Sequence, residues 1–414
     1  MLDLQDRLDE LMELGLYRRM RMVSGPQGPR VLLDGRPVLL LCSDNCLGLA
    51  DHPRVRQAAA DAALRWGTGA GSGRLVAGNM TLHRRLEERL AAFIGTRSAL
   101  LFGSAYLAAV GVIPALVRPG ELVFADESNP PALVDGCRLS GAEVVTYRHA
   151  DVDHLRWALR NADGRAALIV TSTVFPVDGD IAPLAELVAL ARRHDVRVLA
   201  DESHGLGVLG PNGRGAVADA GLDGEVDVVC GTLGTALGGY GGYVCCDGTM
   251  ARHLVNAARP MAASTGLPPT AAAAALAALD VLDAQPRRVE RLADNADALR
   301  AELAREGLGV TSADTHIATL PVEDARRAGR VVEAALEDGV YVQAVCPPSV
   351  ADGEARIRLA VMATHTRAEL REAARVLARA ARAAGVEPAS SPSLAAVRRP
   401  ALFDADAEEL PQAA

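Results

Sequence analysis

Apolar positions along this chain follow two different rhythms. In VRQAAADAALRW (55–66) and LHRRLEERLAAFI (82–94) they recur every three to four residues, which predicts amphipathic helices. In SALLF (98–102), ELVFAD (121–126), EVVTYR (143–148), ALIVTSTVF (167–175), VRVLADES (196–203) and VDVVCGTL (226–233) they form short continuous runs, as in strands covered on both faces. Helix and strand patterns alternate from residue 51 onward, which predicts a mostly parallel sheet wrapped by helices. Ligands of such sheets sit at the carboxyl ends of the strands, and here those ends are dense in Ser, Thr, Asp, Asn and Gly.

Before this region, residues 3–21 read as one helix ending in an Arg cluster, and VLLDGRPVLLL (31–41) reads as a hairpin turning at Asp34-Gly35. After it, PPTAAAAALAALDVL (268–282) and PRRVERLADNADALRAELAREG (286–307) read as helices leading into a second α/β unit. That unit ends with the strand ARIRLAVMA (355–363) and a helix from Arg367. The expected organisation is an arm over 1–50, a large α/β domain over 51–285, a small domain over 286–385, and an aperiodic Pro/Ser/Ala-rich tail over 386–414, read as disordered. Two cores suit 414 residues, because single cores stop growing at roughly 250–300.

Composition narrows the function. The chain is 50% hydrophobic but 3% aromatic, and its net charge is −9, so it has no basic footprint for nucleic acid or for an anionic membrane. Seven Cys are scattered without the paired spacing of a zinc site or disulfide framework, and no metal is expected. With no apolar leader and no 18-residue apolar span, the protein is read as cytoplasmic. All 43 basic residues are Arg; the sequence contains no lysine.

That absence matters because of GTLGTALGGYGGYV (231–244), a Gly-rich loop of the kind that brings backbone N–H groups to a phosphate and presents a reactive side chain. The presenting position holds Thr235. Together with SDNCLGL (43–49), GAGSGRLVAGN (69–79), DESHGLGVLGPNGRG (201–215), STGLPP (264–269) and ARIRLAVMATHT (355–366), this loop resembles the α-oxoamine synthase family in order over about residues 17–380. The resemblance implies a fold-type I pyridoxal-phosphate (PLP) transferase architecture, a dimer completed by the 69–79 and 264–269 loops, and condensation of an amino acid with an acyl thioester.

Carried over by position, the resemblance implies that Asp201 pairs with the cofactor's ring nitrogen, His204 lies near its phenolic oxygen, and Thr232 holds its phosphate. Ser264 and Thr265 would help from the other subunit, while Arg358 would bind a substrate carboxylate. The departures fall in the same pocket. Thr235 replaces the Schiff-base lysine, Asn129-Pro130-Pro131 lacks the ring-stacking His, Pro176 replaces a Ser, Ala105 replaces a Gly, and Cys346 replaces an Arg. In SDNCLGL the family's Asn-Asp order is inverted to Asp44-Asn45, and Cys46 stands for Tyr.

A chain without side-chain amines forms no lysine aldimine, so the expected cofactor is none covalently bound, with PLP at most noncovalent. The leading expectation is an acyltransferase moving an acyl group from coenzyme A or a carrier protein to an amine or hydroxyl of a small-molecule acceptor. His204, oriented by Asp201, would act as the base. Asn45, Thr235, Cys46 and Arg358 are the substrate-side candidates; Cys46 could carry an acyl group but a lone Cys is more often buried and inert. Two alternatives stay open: a silent subunit of a heterodimer with a lysine-bearing homologue, and a noncovalent PLP enzyme. His365 is read as structural.

Overall fold

The hairpin forms where its sequence predicts, with Asp34 at φ 49° and Gly35 at φ 79°, the two left-handed residues that a type I′ turn requires. The computed structural model describes residues 3–311 and 314–386. Along the chain the strands are β1 Val23–Ser24, β2 Arg30–Leu33, β3 Arg36–Leu40, β4 Ser98–Phe102, β5 Leu122–Asp126, β6 Glu143–Tyr147 and β7 Ala166–Ser172. They continue as β8 Arg197–Asp201, β9 Val228–Thr232, β10 Gly242–Cys246, β11 Ile317–Glu323, β12 Val340–Tyr341, β13 Gln343–Val345 and β14 Ala355–Ala360. The described residues form two compact units, one drawing on residues 3–51, 177–179 and 290–386, the other on His52–Pro176 and Asp180–Val289.

The larger unit holds a seven-stranded sheet in the order β4-β10-β9-β8-β7-β5-β6. From β9 through β6 every pairing is parallel, and β10 runs antiparallel to both of its neighbours. Its apolar strand runs are buried as expected: Val123, Leu168, Val170, Leu199, Val228 and Val244 join Val112 and Ile113 of the helix Ala105–Leu116 in one core cluster. Each such side chain contributes roughly 1.5–3 kcal/mol on burial. Because neighbouring parallel strands end on the same edge, Thr232, Asp201, Ser172 and Asp126 are set along one side of the sheet.

The other unit has a β1-β2-β3-β12 sheet and a β11-β14-β13 sheet. Two expectations need correcting here. Residues 1–50 are not an arm of their own: β3 pairs in parallel with β12, Leu39 opposite Val340, so the hairpin's unsatisfied edge is closed by the C-terminal region. The first helix covers Leu4–Glu13 rather than 3–21. Asp3 caps its start, and Gly15 at φ 71° ends it with Leu16 N–H donating to Leu11 O at 2.8 Å, a Schellman stop that the Arg-rich continuation cannot override. The tail expected from 386 lies, from 387, outside the described residues. Among the described residues, no helix is long and apolar enough to cross a membrane.

Candidate active site

At the end of β8, Asp201 and Glu202 are both buried in the protein. Asp201 accepts from Ser203 N–H at 3.0 Å and Ser203 Oγ at 2.5 Å. Burial raises its pKa and these two donors pull it back. Glu202, 1% exposed, accepts from Ala216 N–H at 3.1 Å, Val217 N–H at 2.7 Å and Thr173 Oγ at 3.0 Å. Burial outweighs these bonds and pushes its carboxyl up to about 7. A Cβ at Gly205 would fall 1.8 Å from Glu202 Oε2, so this glycine is dictated by the carboxylate beside it. Glu202 thereby ties the DESHG turn to the GRGAV stretch, and the half-buried His204 is carried on that turn.

The Gly-rich loop follows β9. Thr232 Oγ donates to Gly241 O at 3.2 Å and accepts from Gly234 N–H at 3.0 Å, so it braces its own loop. Thr235 is buried and its hydroxyl donates to Ser203 O at 2.8 Å, linking the loop to the DESH turn. At Gly242 a Cβ would meet Ser104 O at 2.3 Å, which places the start of helix Ala105–Leu116 directly against the loop's strand. Ser264 Oγ donates to Pro260 O at 2.6 Å, while Thr265 bridges to Gly73 and Gly266 N–H donates to Ser72 O at 3.0 Å. The 69–79 and 264–269 loops are therefore stitched to each other within one chain.

One charged group was not foreseen. His149, just beyond β6, donates through Nδ1 to Asp126 at 3.0 Å and through Nε2 to Asp180 at 2.7 Å, with Phe175 edge-on at 4.4 Å. Burial pushes its pKa down, but the two carboxylates together raise it to about 10, so the ring is an imidazolium at neutral pH. His149 stands two residues beyond β6 in TYRHAD and Asp180 in VFPVDGD, and no spacing motif links them. Asn129 serves a different purpose: its amide donates to Val170 O at 2.8 Å and accepts from Ser172 N–H at 3.0 Å, joining the loop after β5 to β7.

In the other unit, Arg358 sits at the middle of β14, opposite Thr319 of β11 and Gln343 of β13, and is 5% exposed. Its guanidinium meets Asp44 Oδ1 at 3.2 Å and Gln343 Oε1 at 3.4 Å. Asn45 is buried, accepting from Ala50 N–H at 3.1 Å and donating to Gln27 O at 3.2 Å. Cys46 is buried and its thiol pushed up to about 12 by burial, reinforced by Asp44, which leaves it inert as a nucleophile. His365 accepts from Met362 N–H at 2.9 Å and donates to Leu40 O at 2.9 Å, a structural tie. Cys346 is partly buried with its thiol raised by desolvation.

A lysine-linked PLP does not fit these residues. The position that would supply the amine carries a hydroxyl bonded to Ser203 O, Thr232 is bonded within its own loop, and Asp201 Oδ1 already takes two donors from Ser203. Among the described residues no group of three or more His, Cys, Asp or Glu is placed to hold a metal ion.

The family model for aminotransferase class I and II matches residues 36–377. The chain is 45% identical to 8-amino-7-oxononanoate synthase of Geobacter sulfurreducens over 92% of its own length and 98% of that protein. Among solved structures it is similar to a lysine-to-alanine variant of serine palmitoyltransferase from S. paucimobilis with bound PLP–myriocin aldimine, at TM-score 0.88 and 32% identity, covering 93% of this chain and 98% of that one. Serine palmitoyltransferase with PLP as the internal aldimine gives the same TM-score and identity, covering 93% of this chain and 100% of the other.

Proposed function

Since the chain belongs to the aminotransferase class I and II family and, within it, to the α-oxoamine synthases, we propose that it transfers an acyl group from a thioester to an amine or hydroxyl acceptor without a lysine-linked PLP. The observation that carries this reading is the Thr235 hydroxyl bonded at 2.8 Å to Ser203 O, where a family member would hold its amine. That bond converts the cofactor-presenting position into a brace for the DESH turn. His204, carried on the same turn, is the general base. It takes the proton of the acceptor as its nitrogen or oxygen attacks the thioester carbonyl; the C–S bond breaks, the new C–N or C–O bond forms, and the proton passes to the departing thiolate. General-base assistance of this kind contributes about 10²–10⁴-fold. The donor class is an acyl group on coenzyme A or a carrier protein.

A second reading, PLP bound noncovalently, is favoured by the serine palmitoyltransferase variant described with a PLP–myriocin aldimine although a lysine is replaced. One experiment separates the two. Thioester cleavage is followed with a panel of amines and alcohols, with and without added PLP, after dialysis. Turnover independent of PLP supports the transferase; turnover only with PLP supports the second reading.

The assembly belonging to this reading is a homodimer, in which Leu75 and Val76, 51% and 84% exposed in the single chain, are covered by a second copy. Leu75→Asp/Val76→Asp should shift light-scattering mass toward the monomer; a wild-type monomer at micromolar concentration would overturn the dimer.

A further inference from the structure

Strands β5 and β8 of the seven-stranded sheet run into the same four residues, Ala-Asp-Glu-Ser, at 125–128 and 200–203. Both turns close alike: Ser128 N–H donates to Asp126 Oδ1 at 2.9 Å and Ser203 N–H to Asp201 Oδ1 at 3.0 Å. Beyond that the two copies differ. Asp126 holds His149 at 3.0 Å and Ala150 N–H at 2.9 Å, and Ser128 is exposed. Asp201 takes the hydroxyl of its own serine, with Ser203 Oγ donating at 2.5 Å, the short end of the range for a hydroxyl on a carboxylate. An N–H bond is enough to close this turn at Asp126, so the hydroxyl bond at Asp201 is an addition to the turn and not a condition of it.

Ser203 is both held and reachable. Thr235 Oγ donates to Ser203 O at 2.8 Å, and the neighbouring Glu202 is tied to Ala216 and Val217 N–H at 3.1 and 2.7 Å, which fixes the turn on two sides. Within 201–208, Ser203 and His204 are half-buried and the other six residues are buried. Burial raises the Asp201 pKa against the pull of the Ser203 hydroxyl and N–H, so the carboxylate is a stronger proton acceptor than one in water. All of these residues belong to the larger unit.

We infer that Ser203 is a nucleophile deprotonated by Asp201, and that the transfer proposed above runs through an acyl ester on Ser203. In the first step Oγ attacks the thioester carbonyl while its proton passes to Asp201 Oδ1; the C–O bond forms, the C–S bond breaks, and the departing thiolate takes up that proton. In the second step the acceptor's nitrogen or oxygen attacks the ester carbonyl, His204 takes its proton, the bond to Oγ breaks and the proton returns to Oγ. The single displacement described above is thereby divided in two, with a separate base for each half. The second step rests on the transferase reading; the nucleophilicity of Ser203 does not.

The full chain is treated with a fluorophosphonate and, separately, with octanoyl-coenzyme A in the absence of acceptor, and the modified peptide is mapped by mass spectrometry. Both reagents should leave one group per chain, on Ser203. Ser203→Ala should remove both adducts, Ser203→Cys should keep the octanoyl group as a thioester, and Asp201→Asn should slow both reactions by at least about 10²-fold. Asp201→Asn and Ser203→Cys preserve side-chain size, so they decide the matter if Ser203→Ala does not fold. No group on Ser203 from either reagent, an octanoyl group on another residue, or undiminished transfer in Ser203→Ala would each overturn the inference, the last while leaving the transferase reading intact. A Ser203 that is labelled or acylated but passes nothing to any amine or alcohol would uphold the nucleophile and remove the transfer.

Discussion

Two carboxylate clusters stand at the carboxyl ends of one sheet and are stabilised in opposite ways. At β8, Asp201 and Glu202 are held by backbone N–H groups and hydroxyls, all neutral donors. Asp126 at the end of β5 and Asp180 in the segment after β7 share the imidazolium of His149, just beyond β6. Neutral donors do not offset the loss of hydration in full, so Glu202 is pushed up to about 7 and its proton is labile near neutrality. A charged partner does the reverse, fixing His149 as a cation to about pH 10. One strand edge therefore offers a titratable cluster and a permanently ionic one. The transfer proposed above draws on the first.

The comparison can be broken most severely at His204. His204→Ala should lower thioester transfer by at least about 10²-fold with the thermal midpoint nearly unchanged. A similar loss from His149→Gln, with His204→Ala silent, would move the reaction to the ionic cluster.

Glu202 comes next. Glu202→Ala strands two backbone N–H groups and one hydroxyl, and at about 1–3 kcal/mol for each unsatisfied group the chain should lose several kcal/mol, measured by denaturant unfolding. Glu202→Gln keeps an acceptor and should lose less.

The pH dependence sharpens the contrast. Glu202 has its folded pKa raised from 4.5 to about 7, so the folded chain binds the extra proton between those values. Its contribution is complete below pH 4.5 and is lost as pH rises through 7. His149, raised from 6.5 to about 10, contributes fully below pH 6.5 and loses that contribution as pH rises through 10. Urea midpoints against pH should therefore flatten between 4.5 and 7 in Glu202→Gln, and between 6.5 and 10 in His149→Gln. One shared window for both variants would show that the two clusters titrate as a unit.

The smallest expected effect is at Thr235. Thr235→Val removes the bond to Ser203 O and should destabilise the chain by about 0.5–1.5 kcal/mol, read from the thermal midpoint, with a modest drop in transfer rate. No change in either would leave the loop-to-turn brace without a role.

The strand runs ALLF, LVFAD, LIVTS and VLAD were legible because burial on both faces leaves an uninterrupted apolar signal, and the Asp34-Gly35 turn because few residue pairs tolerate two left-handed conformations. The first helix was drawn too long because a Schellman stop needs only one Gly, which a periodic pattern passes over. Of the candidate residues, Asp201, His204, Thr232 and Thr235 are named by their positions in the motifs that resemble the α-oxoamine synthases. His149 could not be named, since its partners lie 23 and 31 residues away and neither separation is a motif.

By itself the sequence determined the order of elements, the family, and the absence of any lysine, because each is a property of local pattern or of residue identity. Tertiary structure alone decided which charges are neutralised and by what. Whether Arg358 faces a ligand or Asp44, whether Glu202 holds a proton near neutrality, and whether residues 1–50 stand apart or share a sheet with β12 depend on distances between residues far apart in the chain. Electrostatic free energy varies with separation and burial, and neither is written in spacing along the sequence.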